Sequence, residues 1–260
     1  MRKLIKKLIP KTWRNAYWNR HLETDNYYMI EKKHIRYAHD LLFTYHNADF
    51  VQEPKFKEAY RICKDLGGEL LKNYDIEWRI HVLCWAASQA CKLKGDFVDC
   101  GVYTGFCARA VIHYVDFEKT GKQYFLFDTF SGLDPRFSSP YEMRRNTQLG
   151  YGKNAALYDQ VVKTFSPFHV RVVKGAIPES LNEVKISEVS FLSIDMNAVL
   201  PEREALEYFW PLMTKGGIII LDDYGYPGCE EQKKTHDAFA VSKGVQILSL
   251  PTCQGLIIQP

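Results

Sequence analysis

The sequence predicts a layered α/β fold: a mostly parallel, seven-stranded sheet that closes in an antiparallel C-terminal hairpin and is preceded by an N-terminal helical extension. Three observations predict it. After Gly95, short apolar runs rich in β-branched and aromatic residues alternate with helical stretches. The last two runs are separated by too few residues for a crossover helix, so they must pair antiparallel. A chain of 260 residues that is 46% apolar and 25% charged has the composition of a globular protein and buries roughly 70 to 75% of its unfolded surface. Disordered, collagen-like and membrane-spanning classes are thereby excluded.

In chain order, residues 1–22 form a basic amphipathic head. Leu4, Ile5, Leu8 and Ile9 recur at helical spacing among lysines, and Trp13, Tyr17 and Trp18 follow the break at Pro10. No uninterrupted apolar core marks it as a signal peptide, and no run is long enough to span a bilayer. The pattern fits a frayed terminus, a helix packed on a partner subunit, or a surface-lying helix in peripheral contact with anionic lipid. Residues 23–94 read as a helical cap that covers the site or forms a homo-oligomer interface, with helices at Asp40-Leu41-Leu42, Phe56 to Leu71 with a Gly67-Gly68 stop, and Glu77 to Leu93. The remainder, 95–260, reads as the layered α/β domain. Its strands are expected at Phe97 to Cys100, Gln123 to Phe127, Val170 to Lys174, Val189 to Ile194, Ile218 to Leu221, Gln246 to Leu250 and Leu256 to Ile258, with a helix over Phe106 to Tyr114. Residues 131–155 read as a long polar connection of the kind that forms a lid.

Seven cysteines, an odd number without a CxxC pair, fit reduced thiols of a cytoplasmic protein better than a disulfide framework or zinc site. Cys84 and Cys91 sit in an apolar helical stretch and read as packing residues. The net charge of +3 is uneven: seven cations and no acid lie in the first twenty residues, so the rest carries −4. A mildly acidic body excludes a general nucleic-acid binder.

Two groups of residues carry chemistry. The strand ending in Asp99 and Cys100 runs into Gly101-Val-Tyr-Thr-Gly105 and then a helix. Such a turn brings backbone close to a ligand and points helix N-terminal amides at it. Tyr103 stands where a dinucleotide pyrophosphate needs bare backbone, which disfavours a nicotinamide dehydrogenase. Asp128, closing the next strand, is placed to accept hydrogen bonds from both hydroxyls of a ribose, or else to cap the following turn. Gly175 and Ala176, after the third strand, lie where an adenine is bordered. Together these predict an adenosine-type ligand.

The second group is acidic. Asp195 closes one later strand and Asp222-Asp223 another, and ligands gather at the carboxyl ends of parallel strands. Converging carboxylates repel unless a cation or proton is shared. Hard oxygen donors suit Mg²⁺ or Mn²⁺, which would acidify a substrate hydroxyl; alternatively Asp222 or Asp223 caps the helix beginning near Gly228. Asn197 is an auxiliary ligand or, by preference, a helix cap. His236 reads as a packing or surface residue, and Arg144 and Arg145 as a solvated pair or a contact to an acidic or hydroxylated substrate. Trp78 and Arg79 lie just ahead of the first strand, near enough to approach a cofactor carboxylate, or serve as a packed Trp and a surface Arg.

The segments Phe97-Val-Asp-Cys-Gly101-Val-Tyr-Thr-Gly105, Leu126-Phe-Asp128-Thr-Phe-Ser-Gly-Leu133, Ile194-Asp195-Met-Asn197, Leu221-Asp222-Asp223-Tyr224-Gly225 and Leu250-Pro-Thr-Cys-Gln-Gly255-Leu-Ile, in this order, resemble the macrocin O-methyltransferase (TylF/MycF) family over roughly residues 75–260. The resemblance implies a class I, Rossmann-like methyltransferase fold and Mg²⁺-dependent transfer of a methyl group from S-adenosyl-L-methionine to a sugar hydroxyl. It implies Asp195, Asp222 and Asp223 as metal ligands and Asp128 as the ribose acid. Three positions depart from the pattern: Asp99 for Glu, Asn197 for a second Asp, and Cys253 for Gly.

The expected function is therefore O-methylation of a sugar hydroxyl on a small-molecule or glycan acceptor. Asp99, Gly101, Gly105, Asp128, Gly175 and Ala176 are expected to hold the cofactor, and Asp195 to double as proton acceptor. Expected location is the cytoplasm, peripheral at the inner face of the membrane. Two alternatives stand beside it, a catechol-like phenol O-methyltransferase and a non-catalytic membrane-associated interaction module.

Overall fold

The computed structural model describes residue 33 and residues 35–260; the basic head lies outside the described residues. The chain divides into two units, one ending at Ala48 and one comprising Asp49–Pro260.

In the first unit, the residues expected to be helical form a hairpin of β1 (Tyr37–His39) and β2 (Leu42–Thr44), with Tyr37 opposite Thr44. Asp40 and Leu41, at φ 52° and 58°, make its turn. Two consecutive left-handed residues are the geometry that joins two antiparallel strands most tightly, and no helix accommodates them.

The second unit opens with α1 (Pro54–Leu71) and α2 (Glu77–Ala90). Gly68 (φ 53°) breaks α1 as a kink where the sequence predicts a stop. The sheet follows: β3 (Asp96–Cys100), β4 (Tyr124–Asp128), β5 (Val170–Lys174), β6 (Val189–Ile194), β7 (Met213–Leu221), β8 (Leu248–Ser249) and β9 (Gly255–Ile258). Between them lie α3 (Phe106–Tyr114), α4 (Pro140–Leu149), α5 (Leu157–Phe165), α6 (Val199–Phe209) and α7 (Glu230–Lys243). Strand order is β5-β4-β3-β6-β7-β9-β8, with β9 antiparallel to both β7 and β8 and the remaining neighbours parallel. The predicted seven-stranded, Rossmann-like sheet with its antiparallel end is therefore present.

Alternation along the strands divides the core in two. Val98, Phe127, Leu192 and Ile219 point to one face, where Leu206 and Phe209 of α6 and Phe239 of α7 cover them. On the other face Phe97, Tyr124, Phe191 and Phe117 form a ring cluster with centroids 5.0 to 6.5 Å apart, beneath helices that include α2, packed on β6 and β7. Because β3, β4, β6 and β7 run parallel, their carboxyl ends present Cys100, Asp128, Ile194 and Leu221 along one edge, and the turns that follow each strand line up there.

Candidate active site

The turn after β3 is shaped by close backbone packing. Gly101 adopts φ 94°, and a Cβ there would lie 1.9 Å from the Asp195 carbonyl oxygen, so only glycine lets the β6 turn approach. Its amide donates to the Phe127 carbonyl, and the Asp195 amide donates to that of Cys100. Gly105 (φ 83°) begins α3, and a Cβ there would strike the Phe165 ring at 2.3 Å. Tyr103 takes φ 52° and sets its ring edge-on to Tyr151, centroids 5.1 Å apart.

Asp128 secures this turn. Its Oδ2 accepts from the amides of Val102 (2.7 Å) and Tyr103 (2.8 Å), and its Oδ1 from that of Phe130 (2.5 Å). The Phe130 bond is a local turn, so the turn-capping reading of Asp128 holds. Burial raises its pKa, and the three amides oppose that rise.

One cleft runs from this turn to the acids. Its lining includes Gly101, Tyr103, Asp128, Gly175, Ala176, Asp195 and Asp222, with Leu83, Phe130, Phe137 and Ile177 as apolar walls. Of the expected cofactor residues, Gly101, Asp128, Gly175 and Ala176 line it. Asp99 and Gly105 stand behind the wall. Asp99 is 3% exposed, and burial, followed by the charge of Asp128, pushes its carboxyl up to about 8 against the bond from Ser193. The Ser138 hydroxyl, also in the lining, is buried without a hydrogen-bond partner. An apolar slot with the Asp128 carboxylate in its lining and an orphaned hydroxyl fits a ligand that carries polar groups around a flat apolar body.

At the other end Asp195, Asp222 and Asp223 converge electrostatically. Burial and then repulsion by Asp222 and Asp223 push Asp195 well above the ordinary carboxylate range. Asp223 is pushed up to about 6 by burial and then by Asp222. The cation here is Arg79 of α2. Its Nη1 lies 2.7 Å from Asp222 Oδ2 and 3.4 Å from Asp223 Oδ1, and its guanidinium carbon is 5.2 Å from the Tyr226 ring centroid. Asp222 Oδ1 accepts from Gln254 Nε2 at 2.9 Å. A Mg²⁺ site does not fit the carboxylates as they stand, because Arg79 already spans two of them. Among the described residues no three His, Cys, Asp or Glu side chains are grouped to hold a metal.

Other expectations are corrected. Asn197, at φ 57°, caps no helix: α6 has Ala198 at its cap position, and the Val199 amide is bound by Glu142. Asn197 donates instead to Asp195 Oδ1 at 3.2 Å. Neither Asp222 nor Asp223 caps α7, whose cap position is Cys229. The connection 131–155 contains α4, started by a reciprocal Ser139–Glu142 capping box. Glu142 also bonds the Val199 amide, while Tyr141 and Arg145 reach the Gly228 carbonyl. Arg145 is therefore a latch, not one of a solvated pair. His236 is a packing residue as expected, 2% exposed and 3.0 Å from Glu202. Glu202 in turn accepts from the Met196 amide, so a buried acid supports the Asp195 turn from behind. Arg79 is not the surface residue expected but is 8% exposed, because it is drawn onto Asp222 and Asp223. Gln254, Tyr151 and Glu202 received no such roles from the sequence, although Gln254 lies within a quoted motif.

The family model described as Macrocin-O-methyltransferase (TylF) matches residues 79–246. A curated relative from Streptomyces olivaceus, 8-demethyl-8-(2,3-dimethoxy-alpha-L-rhamnosyl)-tetracenomycin-C 4'-O-methyltransferase, is 24% identical over 149 residues, which are 54% of this chain and 56% of that protein. The chain thus spans about half the length of this relative. The O-methyltransferase NovP shares the fold at a TM-score of 0.62 and 17% identity, over 78% of this chain and 98% of the other. The calicheamicin methyltransferase CalS11 does so at 0.54 and 15%, over 82% and 94%. A caffeoyl-CoA O-methyltransferase-like protein from Staphylococcus aureus gives 0.54 and 11%, over 82% and 95%.

Proposed function

Because the chain belongs to the macrocin-O-methyltransferase family, we propose that it transfers a methyl group from S-adenosyl-L-methionine to a hydroxyl of a sugar, borne by a glycosylated small molecule or a glycan. The observation that carries this reading is that Asp128 with its glycine turn and Asp195 with Asp222 line a single cleft, so a donor and an acceptor group have room to meet. The sugar acceptor is supported by the curated relative, whose name specifies O-methylation of a rhamnosyl group.

When bound, S-adenosyl-L-methionine supplies an electrophilic methyl group on a sulfonium. An acceptor hydroxyl that took this methyl group would have to give up its proton to a group of the chain. Asp195 is the base in this reading: it lines the cleft, and burial beside two other acids holds its carboxyl above the ordinary carboxylate range, which makes the ionised form a stronger base. Asn197 holds one of its oxygens in place. The turn over residues 101–105 and Asp128 position the donor, and the walls of Phe130, Phe137 and Leu83 keep water from the reacting atoms.

The test is an assay of the full chain with methyl-labelled cofactor against sugar-nucleotide, glycoside and catechol acceptors, with Mg²⁺ and with EDTA. Label on a sugar acceptor is expected, while label on catechol alone replaces this reading with the phenol one. Absence of saturable S-adenosylhomocysteine binding by calorimetry removes catalysis altogether. The Mg²⁺ arm decides metal assistance at a cluster whose carboxylates Arg79 already spans. We place the protein in the cytoplasm, with residues 1–22 touching the inner face of the membrane. Equal liposome co-sedimentation by the full chain and by a chain lacking residues 1–22 removes that contact.

A further inference from the structure

We propose that Arg79 is the built-in counter-cation of the acid cluster, and that it and a divalent cation are alternative occupants of the space between Asp222 and Asp223. One guanidinium nitrogen serves both carboxylates, at 2.7 and 3.4 Å. The pair is desolvated: Arg79 is 8% exposed, Tyr226 lies over its guanidinium, and Gln254 fixes the remaining oxygen of Asp222. A Mg²⁺ ion binds oxygen at about 2.0 to 2.1 Å. Placed on the inner oxygens of Asp222 and Asp223, it would lie within a few ångströms of the Arg79 nitrogen. Two positive charges at that distance, out of water, repel strongly. Either the arginine withdraws or the metal stays out.

The arginine is also anchored where withdrawal is difficult. It projects from the first turn of α2, a helix packed on β6 and β7, the strands that carry the acids. Loss of its charge leaves Asp222 without its ion-pair partner and Asp223 with only the weaker influence of Arg145, a deficit that a metal ion then makes up.

The experiment is Mn²⁺ binding to the full chain without cofactor or acceptor, followed by electron paramagnetic resonance and by the metal-induced rise in melting temperature. Arg79→Gln is expected to bind Mn²⁺ at least about tenfold more tightly than the wild type, and to melt lower in EDTA but recover with Mn²⁺. Arg79→Lys keeps the charge and protects folding, but an ammonium is a point charge without the planar fork. It is expected to bind Mn²⁺ more tightly than the wild type and less tightly than Arg79→Gln. Asp222→Asn in the Arg79→Gln background is expected to abolish the gain. Equal or weaker Mn²⁺ binding by Arg79→Gln and Arg79→Lys overturns the proposal. No methyl acceptor enters the experiment, so its failure leaves the proposed reaction standing, and the reverse holds as well.

Discussion

At the scale of single residues, the acid cluster sets the pH behaviour. The proposed role of Asp195 as base requires it to be ionised, and burial with two neighbouring acids raises its pKa. The expected profile of kcat/KM is therefore lost on the acid side, with its midpoint above that of an ordinary carboxylate. Asp195→Asn should lower kcat by about 10²-fold or more while S-adenosylhomocysteine still binds, measured by labelled methyl transfer and calorimetry. Asp99 affects stability instead. Its folded pKa, about 8, lies above its ordinary value of 3.8, so the folded state holds a proton that the unfolded state has released. Stability contributed by this group is thus full at low pH and falls as pH rises from about 4 to about 8. Asp99→Asn should melt at the wild-type temperature near pH 4 and several degrees higher near pH 8, in a scan without cofactor.

At the scale of elements, α4 is the segment whose role is most open to change. It is held by the Ser139–Glu142 capping box, by the Glu142 bond to the Val199 amide and by Tyr141 and Arg145 at Gly228. Glu142→Ala removes a cap and a tie in one step, at about 1 kcal/mol for the cap. Faster hydrogen exchange over residues 140–149 and a raised KM for the acceptor, with the sheet's exchange unchanged, are the expected outcomes. The legible elements were those with strong periodicity or long apolar runs. Phe106–Tyr114, Val170–Lys174 and Val189–Ile194 match the expected bounds residue for residue. Residues 37–44 were read as helix because three residues at 40–42 carry no period; their hairpin depends on left-handed φ at Asp40 and Leu41, for which neither residue type is a strong signal. Helix α4 was hidden by its polar composition, although Ser139, Pro140 and Glu142 spell a capping box.

At the scale of the whole molecule, the seven-stranded sheet is the rigid part and the site is its edge. Phe191 lies at the centre, fully buried between Phe97 and Tyr124. Phe191→Ala should cost about 3 to 5 kcal/mol, read from the urea midpoint, and should weaken cofactor binding only through loss of folded protein. The same parallel register that buries Phe191 brings the ends of β3, β4, β6 and β7 to one line.

The linear order of residues determined the sheet, its antiparallel end and the edge on which the acids gather, because periodicity and strand order follow from local chain properties and from the handedness of parallel crossovers. Tertiary packing decided what stands between the acids. The ion pair from Arg79 to Asp222 spans 143 residues of sequence, and the need for glycine at 101 comes from the backbone of Asp195. Contacts of such separation depend on how helices and turns settle against the finished sheet, and no spacing along the chain encodes them.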